Sequence, residues 1–177
     1  MNHTDHVNLI RTGVSPSNGT WADLGSGEGA FTLALVDLLP EGSTIFSIDR
    51  DSRALDAQRT AMQRQFPASK VTYQMADFTQ KLALPPLDGV IMANSLHFVN
   101  DKAPVLELVR GYLKPGGRLI LVEYNIDHGN TWVPYPMSFE TWAALAKQNG
   151  FAETRKLSAR PSRFLGEIYS ALNINEA

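Results

Sequence analysis

Three glycines near the N-terminus stand where a short strand is expected to pass into a helix. Gly25, Gly27 and Gly29 follow the apolar run 20–24 and precede a segment whose apolar residues have helical spacing. Glycine lets the backbone turn tightly, and it lets a ligand approach without meeting a Cβ atom. The free N–H groups at the start of the helix add partial positive charge. This loop predicts a small-molecule site, and the alternative is an ordinary strand–helix turn.

Two acids, one before the glycines and one at the end of the second apolar run, indicate which kind of ligand the loop binds. Asp49 ends the second apolar run, 44–48, at about 20 positions past the loop, where a carboxylate can accept hydrogen bonds from ribose hydroxyls. The stretch Gly25-x-Gly27-x-x-Ala30 also fits a loose dinucleotide fingerprint, so a nicotinamide cofactor stays open. Asp23, directly before the glycines, favours a cationic ligand because a carboxylate there would repel a diphosphate.

Further candidate residues follow the third and fourth predicted strands. Asp77-Phe78 comes after the run 70–75, and Asn94-Ser95-Leu96-His97 comes after the run 87–93. In a parallel sheet these strand ends share one edge, where ligands bind. His97 is the candidate general base, because histidine changes its charge near neutral pH. The alternative is a histidine that packs against a cofactor or caps a helix.

The order and spacing of these motifs resemble a class I S-adenosylmethionine-dependent methyltransferase of the small-molecule type, similar to methyltransferase-11 and methyltransferase-25 domains. Asp23-Leu24-Gly25-Ser26-Gly27-Glu28-Gly29 resembles the family's first motif, and Asp77-Phe78 resembles its adenine-binding motif. Lys114-Pro115-Gly116-Gly117 resembles the family's turn into the fifth strand. The resemblance implies S-adenosylmethionine as cofactor, S-adenosylhomocysteine as product, and in-line methyl transfer to a small molecule. The implied cofactor contacts are Asp23, Gly25, Ser26, Gly27, Gly29, Asp49, Arg50, Asp77, Phe78, Asn94 and Ser95.

The aromatic loop 124–137 is the predicted substrate lid, because long loops with aromatic side chains often cover a binding site. Tyr124, Trp132 and Tyr135 are the candidate substrate residues, and the alternative is that these aromatics only cover the core. Arg160 and Arg163 could pair with a substrate carboxylate, although arginines in turns are more often solvated. Glu123 and Asp127 are expected to be solvated or to act only through a neighbour, so no metal site is predicted.

The composition excludes several other chemistries. The chain has no cysteine, which rules out disulfides, thiolate metal sites, cysteine nucleophiles and the iron–sulfur cluster of radical enzymes. A net charge of −2 without a basic stripe disfavours nucleic-acid or membrane partners. An Asn/Asp-Pro-Pro-aromatic segment, expected for methylation of nucleobases, is missing after the fourth run. With no signal-like or spanning segment, a cytoplasmic location is expected.

The apolar runs alternate with helical patterns, which predicts one α/β domain over residues 1–177. We expect a doubly wound, mostly parallel Rossmann-like sheet of seven strands, with runs 153–157 and 164–172 forming an antiparallel edge hairpin around a turn at 158–163. Residues 1–19 form a short N-terminal segment, in which a small helix at 5–10 is expected to fold over the cofactor. A homodimer that completes the substrate pocket stays open.

Two other functions compete with methyl transfer. An NAD(P)-dependent oxidoreductase shares the glycine loop and Asp49, but Asp23, the Asp77-Phe78 pair and the lack of a Tyr-x-x-x-Lys segment disfavour it. A non-catalytic S-adenosylmethionine-binding subunit is the third alternative, which the compact chain leaves open.

Overall fold

The computed structural model describes residues 1–176 and consists of one seven-stranded sheet flanked by helices. The strands are β1 (Thr20–Leu24), β2 (Thr44–Asp49), β3 (Lys70–Met75), β4 (Leu87–Ala93), β5 (Leu113–Tyr124), β6 (Phe151–Ser162) and β7 (Gly166–Asn175). The helices are α1 (His3–Ile10), α2 (Ala30–Leu38), α3 (Ser52–Gln65), α4 (Ala103–Tyr112) and α5 (Phe139–Gln148), and a 3-10 helix (Leu96–Phe98) follows β4. None of the helices within residues 1–176 combines the length and apolarity needed to cross a membrane.

The strand order is β3-β2-β1-β4-β5-β7-β6. The five strands β1 to β5 run parallel, whereas β7 lies antiparallel to both β5 and β6. The predicted Rossmann-like sheet of seven strands with an antiparallel C-terminal hairpin is confirmed. The chain moves outward from β1 to β3 and then returns to add β4 on the other side of β1. Connections after β1 and β4 therefore diverge, which opens a crevice at their carboxyl ends.

Helices cover both faces of the sheet, so the central strands are almost wholly apolar. On one face, Trp142 of α5 and Leu106 of α4 belong to one buried cluster with strand residues such as Met92. On the other face, Val7 of α1 and Phe31 of α2 belong to a second cluster, which includes Trp21 and Ile120. This two-sided packing fixes the strand ends that carry the candidate residues.

Helix α1 lies against α2 and the hairpin strands, with Val7, Leu9 and Ile10 buried. Asn2 and Asp5 form a reciprocal capping box at its start. The predicted small helix is therefore present, and it begins at His3 instead of residue 5. It packs on the face of the sheet that also carries α2. None of its residues lines the glycine cleft described below, so the cleft gives no support to the expectation that this helix folds over the cofactor.

The predicted bounds of β5 and of the C-terminal hairpin strands were wrong. The breaker cluster at 114–117 ends α4 as expected, but β5 begins at Leu113 and not at 118, because this cluster bulges out between the Leu87–Leu113 and Gly89–Arg118 pairs. The final turn lies at 163–165 and not at 158–163, because β6 continues to Ser162. Pro161 is tolerated in β6 because this is an edge strand, in which a missing N–H donor costs little.

Candidate active site

The glycine loop turns sharply at the end of β1, and its three glycines have different structural roles. All three have positive φ angles, at 78°, 53° and 85° in chain order. A Cβ atom on Gly25 would lie 2.4 Å from the Ser95 Cβ, so packing requires glycine there. A Cβ on Gly27 would meet no other atom of residues 1–176 within 4 Å. Gly27 therefore presents bare backbone to open space, as a ligand contact requires.

That open space is a cleft of about 420 Å³ at the carboxyl ends of β1 to β4. Eight of the eleven predicted cofactor residues line it, which are Gly25, Gly27, Asp49, Arg50, Asp77, Phe78, Asn94 and Ser95. Sequence reasoning missed other lining residues, which include Thr79, Phe98 and Val99. The structure thus brings most of the predicted set into one cavity.

The remaining three predicted residues, Asp23, Ser26 and Gly29, do not line the cleft. Asp23 is 1% exposed and accepts a hydrogen bond from the Thr32 hydroxyl at 2.6 Å. Burial raises the pKa of Asp23 to about 7, although the Thr32 hydrogen bond works in the opposite direction. The Ser26 hydroxyl is hydrogen-bonded to the Ser47 hydroxyl, with the two oxygens 2.8 Å apart. In this structure Asp23 and Ser26 hold the loop in place and do not line the cleft.

Gln58 of α3 also packs against the glycine loop. Its Oε1 accepts a hydrogen bond from the Ser47 hydroxyl at 2.8 Å, and its side chain is fully buried. A Cβ on Gly29 would lie 2.2 Å from the Gln58 Cγ, so Gly29 lets α3 approach the loop closely. Sequence reasoning missed Gln58, since a single glutamine on an amphipathic helix carries no motif.

Two carboxylates stand at the rim of the cleft. Asp49 accepts the Gly27 N–H at 2.7 Å through Oδ2 and the Asp51 N–H at 2.9 Å through Oδ1. Each oxygen keeps a further lone pair for a ligand hydroxyl. Asp77 accepts the N–H and the hydroxyl of Thr79 through Oδ1 alone, and these hydrogen bonds lower its pKa. Its Oδ2 accepts no hydrogen bond from residues 1–176 and can receive a ligand amino group.

Asn94 has the left-handed backbone conformation, with φ of 52°, and is alone in this among the non-glycine residues of 1–176. Its Oδ1 is buried and has no hydrogen-bond partner within that range. A buried acceptor without a donor is costly unless a ligand or water supplies one. The next residue, Ser95, donates to the Leu24 carbonyl at 2.7 Å and ties β4 to β1.

His97 pairs with a fully buried carboxylate. Its Nδ1 lies 2.9 Å from Oε1 and 3.0 Å from Oε2 of Glu123, and the imidazole is 3% exposed. Glu123 also accepts the Tyr124 N–H at 2.7 Å. Because both carboxylate oxygens face Nδ1, that nitrogen carries hydrogen and Nε2 is the free basic position. Glu123 is therefore not solvated, and its carboxylate contacts the neighbouring His97.

The His97 ring lines neither the cleft nor a second cavity, but it packs beside an aromatic residue of each. Its centroid is 4.4 Å from that of Phe98, which lines the cleft. It is 6.2 Å from that of Tyr124, which lines the second cavity, of about 610 Å³. This second cavity is formed by α1, the end of β5 and the β6–β7 turn. Its lining residues are Met1, Asp5, Tyr124, Arg160, Pro161, Ser162, Arg163, Phe164 and Ile168.

The predicted substrate residues of the loop are distributed differently. Tyr124 lines the second cavity, whereas Trp132 is 74% exposed and Tyr135 is 43% exposed, and neither lines the cleft or the second cavity. The Tyr135 N–H donates to the His97 carbonyl at 3.0 Å, so the loop is fastened beside the imidazole. Asp127 is exposed and accepts the Ser138 N–H at the start of α5.

Comparisons with known proteins match this fold and site. A family model described as a methyltransferase domain matches residues 22–119, which is more than half of the chain. The reducing polyketide synthase grgA of a Penicillium species is 27% identical over 166 residues, covering 80% of this chain and 7% of that protein. The O-methyltransferase cnsE of Penicillium expansum is 29% identical over 120 residues, covering 65% of this chain and 42% of that one.

A solved structure, described as a SAM-dependent methyltransferase of Aquifex aeolicus, superposes with a TM-score of 0.75 at 16% identity. It covers 96% of this chain and 89% of that one. The fold is therefore that of a Rossmann-like methyltransferase. The chain belongs to the methyltransferase domain family. It spans less than half the length of the two curated relatives described above.

Proposed function

We propose that this protein transfers a methyl group from S-adenosylmethionine to a small molecule whose carbon or oxygen must lose a proton on methylation. The observation that carries the proposal is the His97–Glu123 pair, whose imidazole packs beside Phe98 of the cleft and Tyr124 of the second cavity. The cleft would hold the donor and the second cavity the acceptor.

The residues of the cleft fit the donor. Asp49 can accept the ribose hydroxyls, and the free Oδ2 of Asp77 can accept the adenine amino group. The unpartnered Oδ1 of Asn94 suits the ammonium group of the amino-acid part. A diphosphate fits worse, because Asp49 and Asp77 at the rim would repel it. The oxidoreductase alternative is therefore not favoured.

The chemistry assigned to this chain is orientation and proton removal. The sulfonium donor, when bound, supplies a methyl group that is already activated for in-line displacement. His97 takes the acceptor's proton on Nε2, and the electron pair left on the acceptor forms the new bond to the methyl carbon as the carbon–sulfur bond breaks. Glu123 holds the ring orientation and stabilises the imidazolium. A binding subunit without catalysis would have no use for this buried pair, so that alternative is also not favoured.

The cofactor assignment is tested by calorimetric titration with S-adenosylhomocysteine and, in parallel, with NAD. We expect binding of the first and none of the second. Binding of NAD alone would overturn the cofactor assignment.

The role of His97 is tested by His97→Gln, whose amide can still donate to Glu123, with His3→Asn on the surface as the matched control. We expect His97→Gln to lower kcat by about 10²–10⁴-fold across a panel of 1,3-dicarbonyl and phenol acceptors while affinity for S-adenosylhomocysteine stays unchanged. A wild-type rate in His97→Gln would overturn the role of His97 as the base. Unchanged thermal unfolding shows that the variant is folded.

The single domain over residues 1–177, the lid role of loop 124–137, the cytoplasmic location and the homodimer are further parts of this proposal. The lid is supported by the Tyr135–His97 backbone hydrogen bond, which places the loop next to the imidazole. Val133 and Met137 are buried and anchor it, while the Trp132 side chain is exposed and can contact a ligand.

A further inference from the structure

The second cavity has a charged end that the proposed chemistry does not use. Arg160 and Arg163 line it where β6 turns toward β7. Asp5 of α1 is the single acid among the described lining residues, and it forms an ion pair with Arg160. That pairing lowers the pKa of Asp5 and keeps it ionised. The Arg160 charge is therefore already neutralised by Asp5 of the same chain.

Arg163 is the charge that stays unbalanced. It is exposed, and no salt bridge within residues 1–176 includes it. A guanidinium has five donors in a planar fork that matches the oxygens of a carboxylate or phosphate. The cavity thus ends in a net positive group suited to an anion.

Aromatic rings connect this charged end to His97. The Phe164 centroid lies 5.9 Å from that of Tyr124 in an edge-to-face arrangement, and the Tyr124 centroid lies 6.2 Å from that of His97. Burial and the nearby Glu123 charge raise the pKa of Tyr124, so its phenol stays protonated and can donate a hydrogen bond. An acceptor lying along these rings would have its reacting end at His97 and its other end at Arg163.

We infer that the second cavity binds an acceptor with an anionic group, a carboxylate or a phosphate, and that Arg163 is the residue that recognises it. This inference rests on the proposed function for the identity of the ligand as the methyl acceptor. The anion site itself is a property of the cavity, and it can be measured without turnover.

The test uses three small probes that share a phenyl ring and differ in charge: benzoate, phenyl phosphate and the neutral benzamide. Each is titrated calorimetrically into the wild-type chain, Arg163→Ala and Arg155→Ala. Arg155 is an exposed arginine of β6 that lines neither the cleft nor the second cavity, which makes it the matched control. Circular dichroism confirms that the variants are folded.

We expect at least one anion to bind the wild-type chain about tenfold or more tightly than benzamide. Arg163→Ala should remove this preference, and Arg155→Ala should keep it. Tighter binding of benzoate assigns a carboxylate, and tighter binding of phenyl phosphate assigns a phosphate. Equal binding of all three probes, no binding of any, or an unchanged preference in Arg163→Ala overturns the inference.

A second readout separates this inference from the proposed function. His97→Gln should keep the anion preference, because it leaves the charged end of the cavity intact. If the anions bind through Arg163 but no acceptor in the panel is methylated, the anion site stands and the proposed methyl transfer fails. If methylation occurs equally with acetoacetate and with methyl acetoacetate, and Arg163→Ala raises KM for neither, the acceptor does not use this site.

Discussion

Asp23→Asn should change how the stability of this protein depends on pH. Asp23 lies directly before the glycine loop, is 1% exposed, and has as its side-chain partner the neutral Thr32 hydroxyl. Burial raises its pKa from 3.8 to about 7, so the folded chain holds a proton that the unfolded chain releases above pH 4. Stability is therefore highest below the unfolded pKa and is lost as the pH rises toward 7.

The size of this effect follows from the two pKa values. The interval from 3.8 to about 7 corresponds to about 4 kcal/mol of unfolding free energy in total, and about 2–3 kcal/mol of this falls between pH 5 and pH 8. Because the carboxyl group is fully enclosed, solvent screening does not reduce the value. Asparagine cannot ionise. Asp23→Asn therefore lowers the unfolding free energy by an amount that does not depend on pH, because its buried amide lacks full hydrogen bonding, and it removes the pH dependence due to Asp23.

Urea denaturation at pH 5, 6, 7 and 8 measures the difference. The unfolding free energy of the wild-type chain should fall relative to Asp23→Asn by about 2–3 kcal/mol across this range. Glu41→Gln, an exposed acid in the turn after α2, serves as the control and should parallel the wild type. Parallel curves for the wild type and Asp23→Asn would refute the argument that Asp23 is held neutral by burial.

Two further predictions concern the ligands. Asp49→Ala should weaken S-adenosylhomocysteine binding by about 2–4 kcal/mol in calorimetry, because ribose hydroxyls lose their acceptor; unchanged affinity would contradict the assigned cleft. Trp132→Ala and Tyr135→Ala should each raise the acceptor KM without changing donor affinity, because both belong to the proposed lid. If neither variant changes the acceptor KM, these exposed aromatics have no part in acceptor binding.

The regular elements could be predicted because their signals are local. Thr20–Leu24, Lys70–Met75 and Leu87–Ala93 form strands at the predicted bounds. Short apolar runs between helical patterns are enough to specify these elements. The start of β5 could not be predicted, because pairing with β4 recruits residues that a local reading takes as a turn.

The cleft could be predicted for a topological reason. The carboxyl ends of parallel strands share an edge, so glycines, acids and polar residues after β1 to β4 must meet there. The same rule could have found Glu123, because β4 and β5 are neighbours and Glu123 stands at the end of β5 as His97 follows β4. The second cavity had no such signal. It depends on α1 meeting the β6–β7 turn, which joins residues from opposite ends of the chain.

The two fully buried acids of this edge show why burial alone does not define a role. Asp23 has a neutral hydroxyl as its side-chain partner, so its carboxyl takes up a proton and supports the loop. Glu123 faces the His97 imidazole with both oxygens and also accepts the Tyr124 N–H, so its partners fix its orientation against the ring. A carboxylate held in this way serves the proposed role of His97 as the base. Asp23 and Glu123 are equally buried, and they differ in their hydrogen-bond partners. The partner therefore distinguishes the acid that supports the loop from the acid that serves the proposed base.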